Sequence, residues 1–329
     1  MRAKVVAVVG AMVLLAACGS GESNTAGESV TDSTGVAGDA DASIVVTNAV
    51  LASVVRVMVG DAGVVTVIVP NGKDPHDFEP SAKDIEALMN ADLIIQTGLG
   101  YEETLEDPIE RAEESGVVVF TAANHVELKN IDGEVLVSED EHDGHTDDEK
   151  EDHSDHSHEG GDPHFLSDPL SMLQLIPELG VAVQNVVADE IGGNVDAAAQ
   201  LLQRTHDAVL ATMEGLGSTP CKLVTGHNSM RYFADRYGCE IIGAIIPGAS
   251  STAQVTAGEL ARLRDTAKDA DVQAIFIDEG TPENVAIQIA NELNISVFTL
   301  ASHTVPSDNS YESYVNELAT QIVKGLTTA

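Results

Sequence analysis

Basic residues are scarce and tryptophan is absent. Lys+Arg number 16 against 54 Asp+Glu in 329 residues, a net charge of −38. A field of that sign repels nucleic acid and anionic membranes and favours cations. Aromatic side chains make up only 3%, which leaves few platforms for stacking sugars or bases. Cysteine is nearly missing too. With three in the whole chain, a thiolate metal site lacks the second close pair it needs. The His-Glu-x-x-His pattern of zinc hydrolases does not occur. What remains is 43% hydrophobic residues, enough for two modest domains with cores of their own.

The longest early apolar run, Val5 to Ala17, covers thirteen residues and is too short to span a bilayer. It follows the basic start Met1-Arg2-Ala3-Lys4 and ends in Leu15-Ala16-Ala17-Cys18. This resembles a bacterial lipoprotein signal, which implies cleavage after residue 17, lipidation of Cys18 and an extracytoplasmic, membrane-anchored protein. Residues 18–42 are rich in Gly, Ser, Thr, Asp and Glu and read as a flexible tether. Cys221 and Cys239 each precede an apolar run. If those runs are neighbouring parallel strands, the two thiols meet at the strands' amino ends and form a disulfide in an oxidising compartment.

The tract Glu139–Gly161 contains His142, His145, His153, His156 and His158 among many carboxylates, with Lys150 the only base. No apolar residue anchors its histidine-bearing part, so it reads as a solvated loop. Imidazole and carboxylate at that density point to weak accessory metal capture. It runs into Asp162-Pro163-His164-Phe165-Leu166, the start of something packed.

Elsewhere strand and helix alternate. Expected strands are Ile44–Thr47, Val64–Val69, Leu93–Gln96, Val117–Thr121, Lys222–Thr225, Ile241–Ile246, Ala274–Ile277 and Ser296–Leu300. Helices are expected at Val50–Val59, from the N-cap Ser81 to Met89, Glu103–Ser115, Leu170–Ile191, Val195–Leu216, Ser229–Arg236, Ala257–Asp269, Pro282–Leu293 and Tyr311–Leu326. Val126–Leu128 and Val135–Val137 flank an Asp-Gly turn and read as a hairpin. Two blocks of alternation imply an α/β fold of two lobes, each with a mainly parallel sheet and flanking helices, joined by a long rigid helix. The lobes are expected at 43–194 and 218–329, with the linking helix at 195–217.

Outside the tract, histidines are few. His76, His227 and His303 each follow a strand, where open α/β sheets place ligands. His76 and His164 both stand in Asp-Pro-His, whose proline stiffens the approach. Imidazoles from both lobes place a shared site in the cleft between them. Such a set suits Zn²⁺ better than Mn²⁺, which favours carboxylate oxygen. His206 reads as surface, and His125 is a rival ligand.

The segments Pro70–Pro80, Ala91–Ile94, Gly98–Glu102, Asp162–Pro169 and Gly226–Gly238 together resemble the zinc-binding lipoproteins of metal ABC importers. These belong to the cluster A-I solute-binding family, which also includes manganese binders. The resemblance covers Ser43 to the end. It implies two α/β lobes joined by a long helix, a metal between them, and His76, His164 and His227 as ligands. The acidic His-rich loop is typical of the zinc branch. The family's fourth ligand is usually an Asp after the last strand; here Ser302-His303-Thr304 stands there, so His303 is expected to substitute. Asp278, Glu279 or a water are the fallbacks.

The expected function is therefore a monomeric, non-enzymatic receptor that takes Zn²⁺ outside the membrane and hands it to an ABC permease. The alternatives are a manganese receptor of the same family and a zinc-buffering or adhesin lipoprotein with no transport partner. A zinc hydrolase with Asp77 or Glu279 as base is the remaining class. Affinity is expected to fall as pH drops through about 6.5, because binding needs neutral imidazoles.

Overall fold

In the computed structural model, residues 41–130 and 161–328 are described. Cys18, the five loop histidines and the second arm of the expected hairpin lie outside them, as does nearly all of the expected leader and tether.

Central strands are short and apolar because both faces are covered. β1 (Ala42–Val46) is followed by α1 (Ala49–Val59), β2 (Gly63–Val67), α2 (Ala82–Met89), β3 (Leu93–Gln96), α3 (Glu106–Glu114) and β4 (Val118–Thr121). All pairings are parallel, in the order β2-β1-β3-β4. Parallel neighbours need a crossover, and the helices supply it. Asn48 caps α1 by accepting from Leu51 N, and Ser81 with Asp84 forms a capping box on α2. β1 and β3 are almost wholly buried, while the edge strand β2 alternates.

Next come α4 (Pro169–Gln184) and α5 (Gly192–Met213), then β5 (Lys222–Thr225), α6 (Arg231–Tyr237), β6 (Glu240–Ala244), α7 (Ala257–Asp269), β7 (Ala274–Ile277), α8 (Glu283–Leu293), β8 (Ser296–Thr299) and α9 (Tyr311–Thr327). The second sheet repeats the first's topology, β6-β5-β7-β8, again all parallel. The fold is thus two parallel four-stranded sheets with flanking helices. α5 packs against α1 on the first lobe's side and against α4 and α9, and Ala198, Leu202, Val209 and Met213 of α5 belong to one core with both lobes' strands. Among the described residues, no helix is long and apolar enough to cross a membrane.

Several boundaries differ from the sequence reading for identifiable reasons. The helix expected to run to Ile191 stops at Gln184, whose side chain then bonds Asp189 O and Ile191 N and replaces backbone pairing there. α6 begins at Arg231 rather than Ser229, because the Ser229 hydroxyl is held by Asp278. Val126–Leu128 forms no strand: the next residue, Lys129, accepts from Asp162 N instead. Cys221 and Cys239 lie at the amino ends of the neighbouring strands β5 and β6 and are joined by a disulfide.

Candidate metal centre

In both sheets the carboxyl ends of the strands face the site, as the crevice rule for open α/β sheets requires. In the first lobe, the end of β1 is stitched to the end of β3 by Glu102. Its Oε1 accepts from Thr47 Oγ1 at 2.6 Å, from Asn48 Nδ2 at 2.8 Å and from Thr97 Oγ1 at 2.8 Å. Burial raises its pKa, and those donors partly offset the rise. Gly98, Leu99 and Gly100 all have positive φ, 90°, 57° and 71°. That turn, natural for glycine, delivers Tyr101 and Glu102 inward.

Four histidines converge here, each 4% exposed or less: His76, His164, His227 and His303. His76 comes from the loop between β2 and α2, and His164 opens a short 3-10 turn before α4. His227 follows β5 and His303 follows β8. Both Asp-Pro-His motifs fold alike: the aspartate Oδ1 accepts the histidine's backbone N–H at 3.0 Å, in Asp74–His76 and in Asp162–His164. This local turn suits Asp, whose short side chain bonds backbone two residues on.

His76 Nε2 lies 3.2 Å from His164 Nε2, and His227 Nε2 lies 3.1 Å from the same atom. The ligand atoms of these three histidines all fall within 4.8 Å of one another. A tetrahedral zinc with nitrogen ligands at about 2.0–2.1 Å spaces its donors by roughly 3.3 Å. Three imidazole nitrogens this close have too few protons and lone pairs to satisfy each other, and a shared cation resolves that. Second partners orient two of the rings, as metal-ligating histidines require. His164 Nδ1 contacts Asp162 Oδ1 at 2.7 Å. His227 Nδ1 lies 2.8 Å from Asp278 Oδ2, a close charge contact that is out of hydrogen-bond alignment. His76 Nδ1 has no partner.

His303 stands one step back. Its ring is 5.9 Å from that of His227 and 6.1 Å from that of His76, centre to centre. Nδ1 meets Tyr101 Oη at 2.9 Å, and Nε2 is buried without a partner. A void of about 10 Å³ beside it, lined by Tyr101, His164, Ser229, Ser302 and Tyr314 among others, is at the size where one water fits. The carboxylates expected as fallback ligands are otherwise engaged. Asp278 contacts His227 and accepts from Ser229 and Thr281. Glu279 accepts from Ser302, Thr304 and the His303 backbone N–H.

Burial holds His76 and His164 well below the usual histidine pKa, helped by neighbouring imidazoles. Burial, with His227 beside it, brings His303 down to about 4. For His227, burial also pulls down, but the Asp278 charge and contact outweigh it and the shift is upward. Asp278 shifts downward: burial raises it, and His227 more than offsets that. Burial pushes Asp162 up to about 7.

His125 is outside this group. It stacks on Phe120 at 4.6 Å. His206 is half-buried rather than free surface, because its ring stacks on Tyr237 at 5.7 Å. Asp77 is exposed. The supporting residues Asp162, Tyr232 and Tyr311 drew no individual prediction from sequence. Tyr232 Oη donates to Asp162 O at 3.0 Å, and Tyr311 Oη donates to Leu166 O at 2.8 Å, so both hold the His164 turn. For Asp162 and Tyr232 the only sequence signal was membership in the longer motifs, and Tyr311 figured only as the first residue of an expected helix.

Residues 44–325 match the family model described as "ZnuA: Zinc-uptake complex component A periplasmic". The chain is 24% identical to the manganese-binding lipoprotein MntA of Halalkalibacterium halodurans over 81% of each chain. It is 28% identical to the high-affinity zinc uptake system protein ZnuA of Bacillus subtilis, over 87% of this chain and 83% of that one. It spans about half the length of the zinc-binding AdcA relatives it matches, 47% of the Streptococcus pyogenes protein. Its fold matches the periplasmic zinc-binding protein TroA from Treponema pallidum with a TM-score of 0.70 at 19% identity, covering 86% of this chain and 98% of that one.

Proposed function

The chain belongs to the ZnuA family of periplasmic metal-binding receptors, which bind for transport and are not enzymes, and from that premise we propose that its cargo is Zn²⁺, delivered to an ABC permease. The observation that carries the choice of metal is the donor set. One ring nitrogen from each of three histidines meets the others within 4.8 Å, and the nearby carboxylates are occupied in orienting histidines and loops. Zinc accepts an all-imidazole tetrahedron, whereas manganese asks for oxygen.

In this reading His76, His164 and His227 are the first three ligands. His303 completes the set through its unpartnered Nε2, with a water in the adjoining void as the alternative. The chain is organised as a leader at 1–17, a lipid anchor at Cys18, a tether to residue 42, lobes at 43–194 and 218–329, and a linking helix at 195–217. His142, His145, His153, His156 and His158 collect zinc loosely and relay it to the cleft. The protein works as an extracytoplasmic monomer held to the membrane by its lipid.

The test is a zinc titration of the mature chain beside a deletion of Glu139–Gly161, with Mn²⁺ as competitor. One tight zinc that survives the deletion and resists Mn²⁺ is expected. Loss of tight binding with the loop would assign the protein to zinc buffering instead. Displacement by equimolar Mn²⁺ would favour the manganese reading, which the resemblance to MntA keeps in play.

A further inference from the structure

The four histidines do not belong equally to the two lobes. His227 and His303 are on second-lobe loops, and the His164 turn, although within the first lobe's residues and bonded to Lys129 O through Asp162 N, is also tied to the second lobe by Tyr232 and Tyr311. His76 is carried by the first lobe. Separating the His76 loop from the second lobe therefore opens the cage, and whatever fastens that loop controls the opening.

The two Asp-Pro-His motifs differ at this point. Asp162 uses Oδ1 for both the backbone and the ring of His164, and its Oδ2 has no partner. Asp74 is also buried, 5% exposed, but its two oxygens are divided. Oδ1 accepts the His76 N–H, and Oδ2 accepts the Ser251 hydroxyl from the second lobe's loop after β6. Gly280, after β7, backs the same oxygen at φ +88°, and a Cβ there would lie 2.1 Å from Asp74 Oδ2. A second fastener lies three residues earlier. The Asn71 amide donates to Val305 O at 2.7 Å and accepts from Val305 N at 2.7 Å, two residues past His303. The loop bearing His76 is thus pinned to three second-lobe loops, and the pin nearest the histidine is a buried charged hydrogen bond.

We infer that Asp74 is an inter-lobe positioning residue: with Ser251 and Gly280 it clasps the His76 turn against the second lobe and sets the rate at which a captured ion leaves. This rests on the reading that the cage captures Zn²⁺. Ligation itself needs only the imidazoles, so the clasp acts on release. A buried hydrogen bond to a carboxylate is among the stronger ones, and its loss is expected to speed release by about tenfold.

The experiment is stopped-flow transfer of Zn²⁺ from the mature chain, loaded with one equivalent, to a chromogenic chelator. Ser251→Ala removes the donor, Ser251→Thr keeps a hydroxyl, and Gly280→Ala displaces the carboxylate. Release about tenfold faster in Ser251→Ala and Gly280→Ala, with Ser251→Thr within about twofold of wild type, supports the clasp. The metal-free melting temperature of Ser251→Ala is expected to fall by only about a few degrees, so the variant stays folded in the release assay. Wild-type release rates in both Ser251→Ala and Gly280→Ala overturn the clasp while leaving zinc capture intact. Equal acceleration in Ser251→Ala and Ser251→Thr also overturns it, because loop packing rather than the hydroxyl would then matter. A wild-type chain that takes up no zinc fails at the loading step and overturns the capture reading with it.

Discussion

Protons compete with a metal ion for imidazoles, and the four buried here are not equivalent. Burial keeps His76, His164 and His303 neutral, with His303 at about 4, whereas Asp278 raises His227. Below the ordinary histidine value of about 6.5, His227 is therefore the ring that must give up a proton to a metal. Zinc binding around pH 5.5 is expected to release about one proton, where four ordinary imidazoles would release between about three and four, measurable by calorimetry in buffers of different ionisation enthalpy. The simple expectation of a loss through 6.5 for all ligands is thus modified by burial. The same shifts act on the metal-free fold. An unfolded histidine takes its proton near 6.5 and folded His303 only near 4, so the unfolded state binds more protons in between. The contribution of His303 is full above about 6.5 and falls as pH drops from there to about 4; His76 and His164 act in the same sense, and the three outnumber Asp162 and His227, whose upward shifts act in the opposite one. A metal-free chain whose melting temperature stays flat over that window would contradict it. Asp278→Asn removes the charge that orients His227, and zinc affinity is expected to fall by about 10–100-fold in a chelator competition.

Among the elements, the second sheet has a covalent staple where the first has none among the described residues. Cys221 and Cys239 are 18 residues apart in sequence. They join β5 to β6 at the end opposite His227. Closing a loop of that length contributes about 3 kcal/mol by the chain-entropy model. Replacing both cysteines by Ser is expected to lower unfolding stability by about that much in a denaturant titration. An unchanged midpoint would mean the thiols are not bridged in the mature protein. The capping residues were readable as local patterns. Ser81 is the N-cap expected from sequence, and with Asp84 it forms the box that starts α2. The same logic failed at Gln184 and Ser229, because those side chains bond across loops rather than along their own helix.

Across the whole molecule, α5 lies against elements of both lobes and shares one core with them. A packed helix of this length resists bending, so lobe closure on zinc binding is expected to be small. Solution scattering of a Glu139–Gly161 deletion with and without zinc should give radii of gyration within about 1 Å of each other, against the ~20 Å expected of a domain pair this size. A wider change would mean that α5 hinges or unwinds.

Much of this protein was set by its sequence alone. Strand–helix alternation is a local periodicity, so two parallel sheets were legible before any contact was known. The ligand candidates were legible because a rare residue recurs after strand ends and inside a repeated Asp-Pro-His. Only the tertiary structure decided which histidines meet. It holds His303 a step outside the group of three, sends His125 to a stacking contact, and gives Asp278 and Glu279 to hydrogen bonds. It also divided the roles of two identical tripeptides, making Asp162 a partner of its own ring and Asp74 a partner of the opposite lobe. The reason is physical: a motif fixes the backbone turn within a few residues. What its second carboxylate oxygen meets depends on segments tens to hundreds of residues away, brought close by the packing of the two sheets.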